Sequence, residues 1–171
     1  GKSGPSGQPG ADRPHRDAMS DQEPPLGNAC CASAAACVFT KALLARSAVC
    51  ELAARRSIGE RDIIECGSPV ARTNCRTLAA LLHERARFVL RLPAPGHPIV
   101  HAQALRLQCG GLRGLAAALG EPEAAPSDIH ALVSRAQVAF DGLLGIPFPT
   151  VVASVVRWEG RPRAAGGKGS P

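Results

Sequence analysis

Aromatic residues are nearly missing from this chain: its 171 residues include four Phe, one Trp and no Tyr. Long β-branched runs are also scarce, and Ala, Leu and Val supply most of the 45% that is hydrophobic. Such a composition favours helices over pleated sheets. No apolar run approaches the ~20 residues of a membrane-spanning helix. The first residues lack the basic-then-apolar layout of a secretory signal. The expectation is a soluble, cytoplasmic protein whose 171 residues make one domain.

Chemistry-bearing motifs are missing as well. No two cysteines stand in C-x-x-C, which excludes zinc-knuckle and thioredoxin signatures, and the ferredoxin run is absent. His97 and His101 have an i,i+4 spacing, but no H-E-x-x-H surrounds them, and His97 precedes Pro98 and so falls outside a helix. The stretch Cys109-Gly-Gly-Leu-Arg-Gly114 lacks the strand and the Lys-Ser/Thr of a phosphate loop. No Ser-His-Asp or Cys-His arrangement is readable, so the reading leans against an enzyme.

Lysine is rare too, at three against 17 arginines. The net charge of +6 sits partly at the chain ends: residues 1–18 carry +1 and 157–171 carry +3, leaving +2 for 19–156. A dedicated nucleic-acid domain usually carries a basic stripe with aromatic or polar readers. Nucleic acid therefore ranks last among expected partners, behind a protein redox or complex partner.

Residues 1–28 are rich in Gly, Pro, Ser and Asp and are expected to be disordered, as is the basic tail 159–171. Residues 29–158 are expected to form an all-α domain, a single antiparallel bundle of five to six helices. A first helix is expected over 31–56, which no Gly or Pro interrupts. Ser57 and Glu60 have capping-box spacing and would open a short helix through Glu65. Ser68 as N-cap and Pro69 as first helical residue open the next helix, running to about Leu92. A third helix is expected over 98–119 with a bend at Gly110-Gly111, a fourth from Ser127, and a last over 150–158.

The cysteines are Cys30, Cys31, Cys37, Cys50, Cys66, Cys75 and Cys109. Seven is an odd number, which argues against a disulfide framework and leaves metal, redox chemistry or packing. If 31–56 is one helix, Cys37 and Cys50 lie roughly 20 Å apart along its axis and cannot share a small site. Cys50 and Cys75 would then sit level across a helical hairpin. Cys66 would lie in the connection at that end, beside a helix N-terminus that favours thiolate. Cys109 would approach Cys75 from the third helix. These four thiols, Cys50, Cys66, Cys75 and Cys109, are the expected ligand set, with Cys37 as the replacement if one drops out.

Thiolates on separate helices in an apolar interior suit an iron–sulfur cluster, [4Fe–4S] by ligand number, with zinc ranked lower. Electron transfer or redox sensing would follow. The competing reading is an interaction or adaptor module whose cysteines are ordinary core, since free Cys packs as a small hydrophobe. Glu60, Asp62 and Glu65 are expected to pair with Arg55, Arg56 or Arg61 rather than to act as ligands. His83, Glu84, Arg85 and Arg87 form a charged group on the second helix, with Arg85 on the stripe of Cys75.

Overall fold

A computed structural model describes residues 35–122 and 127–160. All of these belong to one contact unit, Ala32–Pro171. The expected disordered segment 1–28 and tail residues 161–171 lie outside the described residues, as do Cys30 and Cys31.

The architecture is mixed, and the all-α expectation is corrected. The predicted helix over 31–56 is replaced by a short helix α1 (Thr40–Leu44), a turn, and strand β1 (Ala53–Ile58). The predicted short helix after Ser57 is instead the turn and second strand, β2 (Arg61–Cys66), of an antiparallel hairpin. Two residues connect the strands, and the first, Gly59, has φ +61, as a type II′ hairpin turn requires of that position. The spacing of Ser57 and Glu60 suited a capping box only while their neighbours were unknown. In the fold, Ser57 Oγ donates to Asp62 Oδ1 across the hairpin at 2.8 Å.

Hairpin register pairs Ala53 with Cys66 and Arg55 with Ile64. On the other edge of β2, residues 35–37 add a short third row: Cys37 N–H donates to Ile64 O and Cys66 N–H to Ala35 O, both at 2.8 Å. Ladder hydrogen bonds of this kind come from distant segments, so helix propensity along 31–56 could be overridden without a local signal. α1 ends where Arg46 takes a left-handed φ of 54° and Ser47 N–H reaches back to Ala42 O at 3.0 Å.

From β2 onward the helical expectations hold. Ser68 Oγ accepts from Ala71 N–H at 3.2 Å and Pro69 occupies the first turn of α2 (Pro69–Leu90). Its buried face is Ala71, Cys75, Leu78, Leu81, Leu82 and Ala86. Arg91 closes it in the left-handed region, and the following prolines prevent its extension.

The third predicted helix is present as α3 (His101–Leu105), a π-helical turn over Arg106–Gly110, and α4 (Gly111–Ala118). The expected irregularity at Gly110-Gly111 is that wide turn. Asp128 caps α5 (Ile129–Ala139), its Oδ1 accepting from Ala131 N–H at 2.9 Å. A 3₁₀ turn (Leu143–Gly145) leads to α6 (Phe148–Arg157).

α6 lies against α4 at close range, because Gly110 and Gly114 present no side chain to it. A Cβ on Gly114 would stand 2.9 Å from Val151 Cα, and one on Gly110 would stand 2.7 Å from Val155 Cα. Val151 and Val155 are fully buried there, in a core with Phe39, Leu78, Leu82, Leu115, Ile129 and Leu132. No helix among the described residues is long and apolar enough to cross a membrane.

Candidate functional site

Breaking the first predicted helix changes which thiols can meet. Cys37 now lies in the row beside β2, opposite Ile64 and two residues along the ladder from Cys66. Cys66 ends β2, opposite Ala53. Cys50 belongs to the turn feeding β1: its carbonyl accepts from Ala53 N–H at 3.1 Å, and Leu52 O accepts from Gly67 N–H at 2.8 Å, which ties that turn to the Cys66 end of the hairpin. Cys75 follows in the second turn of α2 and is buried.

The electrostatics agree with that placement. Burial, with smaller contributions from Cys37, Cys50 and Cys66, pushes the Cys75 thiol up to about 12. Cys37 is raised mainly by burial, with Cys50 and Cys66 adding to the effect and the Phe39 amide opposing it. Cys50 is raised mainly by burial, then by Asp128 and Cys66, while the Leu52 and His130 amides pull it down. So three of the predicted thiols, Cys50, Cys66 and Cys75, share a neighbourhood, and its fourth member is Cys37.

Cys109 has different surroundings. It is buried in the π-helical turn, and burial raises its pKa, opposed by a hydrogen bond from Ser47 and by the Arg113 charge. All five described cysteines are free thiols. In the protonated state the Cys66 Sγ donates to Ser68 O at 3.3 Å.

Backbone amides already face two of the sulfurs: Phe39 N–H toward Cys37, and Leu52 and His130 N–H toward Cys50. An amide donor two residues beyond a cysteine stabilises a thiolate, and such donors tune thiolate-held metals. A cleft of about 420 Å³ borders Cys50, lined by Leu43, Arg46, Ala48, Val49, Ala53, Arg55 and Ile64.

Gln108 holds the segment after Cys37. α1 has no side-chain N-cap of its own, and Gln108 Oε1 substitutes for one by accepting from Ala42 N–H at 3.2 Å. Its Nε2 donates to Val38 O at 3.0 Å. Both bonds are made by a residue of the π-helical turn. Gln108→Leu would strand one donor and one acceptor, each part-buried, at a cost of about 2 kcal/mol. The expected result is a melting temperature lower by roughly 4–8 °C in thermal unfolding.

Carboxylates and histidines take structural roles. Arg55 pairs with Asp62 at 3.8 Å and Arg56 with Glu65 at 3.1 Å, as the sequence suggested. The ligand atoms of Glu51, Asp128 and His130 lie within 4.8 Å of one another, the one such group among the described residues. Those atoms are already engaged, however. Asp128 Oδ2 accepts from Glu51 N–H at 2.7 Å while Oδ1 caps α5, and His130 Nδ1 lies 2.8 Å from Glu51 Oε1. The group pins residues 49–51 to the start of α5, together with Ile129 N–H donating to Val49 O at 2.8 Å. His97 is exposed in a turn, and His101 opens α3 with its Nδ1 3.1 Å from Lys41 Nζ. Arg85 lies over the Phe148 ring at 5.4 Å from its centroid and meets no buried acid.

No protein-family profile, curated protein or solved structure matches this chain. Sequence reasoning held Cys37 only as a replacement because it assumed an unbroken helix over 31–56. The one local hint was Gly59, a turn residue inside the stretch read as helical; the flanking runs Ala53-Ala54-Arg55-Arg56-Ser57 and Asp62-Ile63-Ile64-Glu65 do not alternate.

Proposed function

We propose that this chain is a cytoplasmic metal-binding protein that holds an iron–sulfur cluster through Cys37, Cys50, Cys66 and Cys75, for electron transfer or redox sensing with a protein partner. The observation that supports the reading is that Cys37, Cys50 and Cys66 come from three separate stretches of chain and all lie near enough to act electrostatically on the buried Cys75 of α2. Relative to the set expected from sequence, Cys37 takes the place of Cys109.

The donor set favours a cluster over a single ion. Zinc at about 2.3 Å from each sulfur needs the four sulfurs within about 4 Å of one another. No three described thiols have their sulfurs all within 4.8 Å. A cluster interposes iron and sulfide between the thiolates and so accepts sulfurs farther apart than a single ion does. When bound it would supply one-electron chemistry.

The protein's own contribution is to desolvate and to donate. Burial around Cys75 disfavours an uncompensated thiolate, and a cation relieves that cost. Amides at Phe39, Leu52 and His130 direct hydrogen bonds at the sulfurs, which stabilises the reduced, more negative state. A reducing compartment keeps the thiols available.

The test is anaerobic purification followed by visible absorption and by iron, sulfide and zinc analysis. The expected result is a brown protein with about four irons and four sulfides per chain. A colourless preparation without iron, sulfide or zinc, and with stability unchanged by chelator, sinks the reading and leaves an interaction module with packing cysteines.

A further inference from the structure

The hairpin has one covered edge and one open edge. Ile64 O and Cys66 N–H of β2 turn outward to residues 35–37, so the Arg55–Ile64 pair exchanges no hydrogen bonds within the hairpin. By the same alternation, the backbone N–H and C=O of Arg55 and of Ser57 point away from β2, along the free side of β1. None of these four groups meets a hydrogen-bond partner among the described residues. Ala53 N–H, by contrast, is taken by Cys50 O, which ends the open stretch. The cleft of about 420 Å³ borders this stretch. Ala53, Arg55 and Ile64 share the hairpin face that lines it, together with Leu43, Ala48 and Val49.

We propose that the open edge of β1 takes an extended segment of a partner protein as an added antiparallel strand, with an apolar–acidic–apolar centre. The inference is independent of the metal reading, since it uses backbone groups of β1 and no thiol. A row of unpaired backbone donors and acceptors is complementary to an extended chain. Directly opposed residues project to one face of a sheet. The residues facing Arg55 and Ser57 would therefore stand on the cleft side, and the one between them would stand opposite Arg56 on the other side. The cleft is lined mainly by apolar side chains and suits an apolar pair there. Arg56 is 69% exposed, and its one ion pair among the described residues joins Nε to Glu65 at 3.1 Å. Its terminal N–H donors are left for a carboxylate across the new ladder. A second copy of this chain is the poorer occupant. The β1–β1 register that uses all four groups sets Arg56 directly opposite Arg56, and like charges so placed repel.

Fluorescence anisotropy of the full chain with a labelled peptide of about ten residues centred on Val-Glu-Val tests this, at a salt concentration of about 0.15 M that screens distant charges. Binding is expected, and it should weaken by roughly tenfold or more when both valine nitrogens are methylated, because the donors to Arg55 O and Ser57 O are then gone. Methylating the glutamate nitrogen, which points away from β1, should leave affinity within about twofold. A Val-Lys-Val centre should bind about fivefold more weakly, and Arg56→Gln should erase that difference. Amide hydrogen exchange read by NMR should be fast at Arg55 and Ser57 in the free chain and slowed by the peptide. Ser57→Pro removes one edge donor and no hairpin bond, so binding should fall by about tenfold. Thermal unfolding establishes that each variant is folded.

No binding, equal binding of the peptide methylated at both valines, or equal binding of Val-Lys-Val by the wild-type chain overturns the proposal. Slow exchange at Arg55 and Ser57 in the free chain also overturns it, because another part of the chain or a second copy would then hold the edge. Peptide binding that leaves their exchange unchanged does the same, because the peptide would then dock elsewhere. If Ser57→Pro fails to fold, the peptide series and the exchange of the wild-type chain decide.

Discussion

Cys37→Ser, Cys50→Ser, Cys66→Ser and Cys75→Ser should each lose bound iron and sulfide after anaerobic purification, whereas Cys109→Ala should retain them. The contrast separates ligation from simple stability, because Cys109 is 3% exposed and Cys75 8% exposed in the same core cluster. If metal loss merely reflected a weakened core, the Cys109 variant would lose metal as readily as the Cys75 variant. Serine is the sharper substitution at the four ligand positions, since it preserves size while replacing a soft donor by a hard hydroxyl. Alanine is better at Cys109, where a new hydroxyl would need a partner in the core. Iron retained in Cys37→Ser and lost in Cys109→Ala would restore the set expected from sequence. Iron unaffected by all five would leave the thiols as packing.

Gly114→Ala should destabilise the fold by about 2–3 kcal/mol, although alanine is the better helix former by about 1 kcal/mol. Its Cβ would meet Val151 Cα, Val151 O and Ser154 Cβ, each at 2.9 Å. Two of those atoms are backbone, which cannot rotate away, so α4 and α6 must separate along a seam where Val151 and Val155 are fully buried. Gly110→Ala should behave alike, with Val155 Cα at 2.7 Å. Gly111→Ala is the internal control. Its Cβ would approach Leu82 Cδ1 at 2.8 Å, the far end of a flexible side chain. Rotamer adjustment there should hold the cost under about 1 kcal/mol. The measurement is thermal and urea unfolding, with falls of roughly 4–12 °C at Gly114 and Gly110 and little change at Gly111. Equal stability at Gly114 and Gly111 would contradict the close approach.

Legibility differed along the chain for physical reasons. α2 was readable because its signals are local: Ser68 bonds its own third residue, Pro69 fits the first turn, and the apolar spacing continues through Ala86. α5 and α6 were readable by the same logic, although Leu144, whose spacing continues the apolar series of Ile129 and Leu132, is 75% exposed after the chain leaves α5. The hairpin was not readable from composition. Its residues are Ala, Arg, Ser and Ile, and what holds them extended is pairing with one another and with residues 35–37.

The candidate site followed the same division. By itself the sequence determined that the cysteines lack knuckle spacing, that any shared site had to assemble from separate segments, and that Cys66 precedes a helix start while Cys75 lies inside it. Only the tertiary structure decided which thiols come near one another. A β-ladder satisfies backbone donors with acceptors far away in sequence, and it broke the stretch that had kept Cys37 and Cys50 apart. It set Cys37 two residues along the ladder from Cys66 and left Cys109 with Ser47 and Arg113. Spacing along a chain measures distance only while the secondary structure is known, and here a two-residue turn at Gly59 changed that measure.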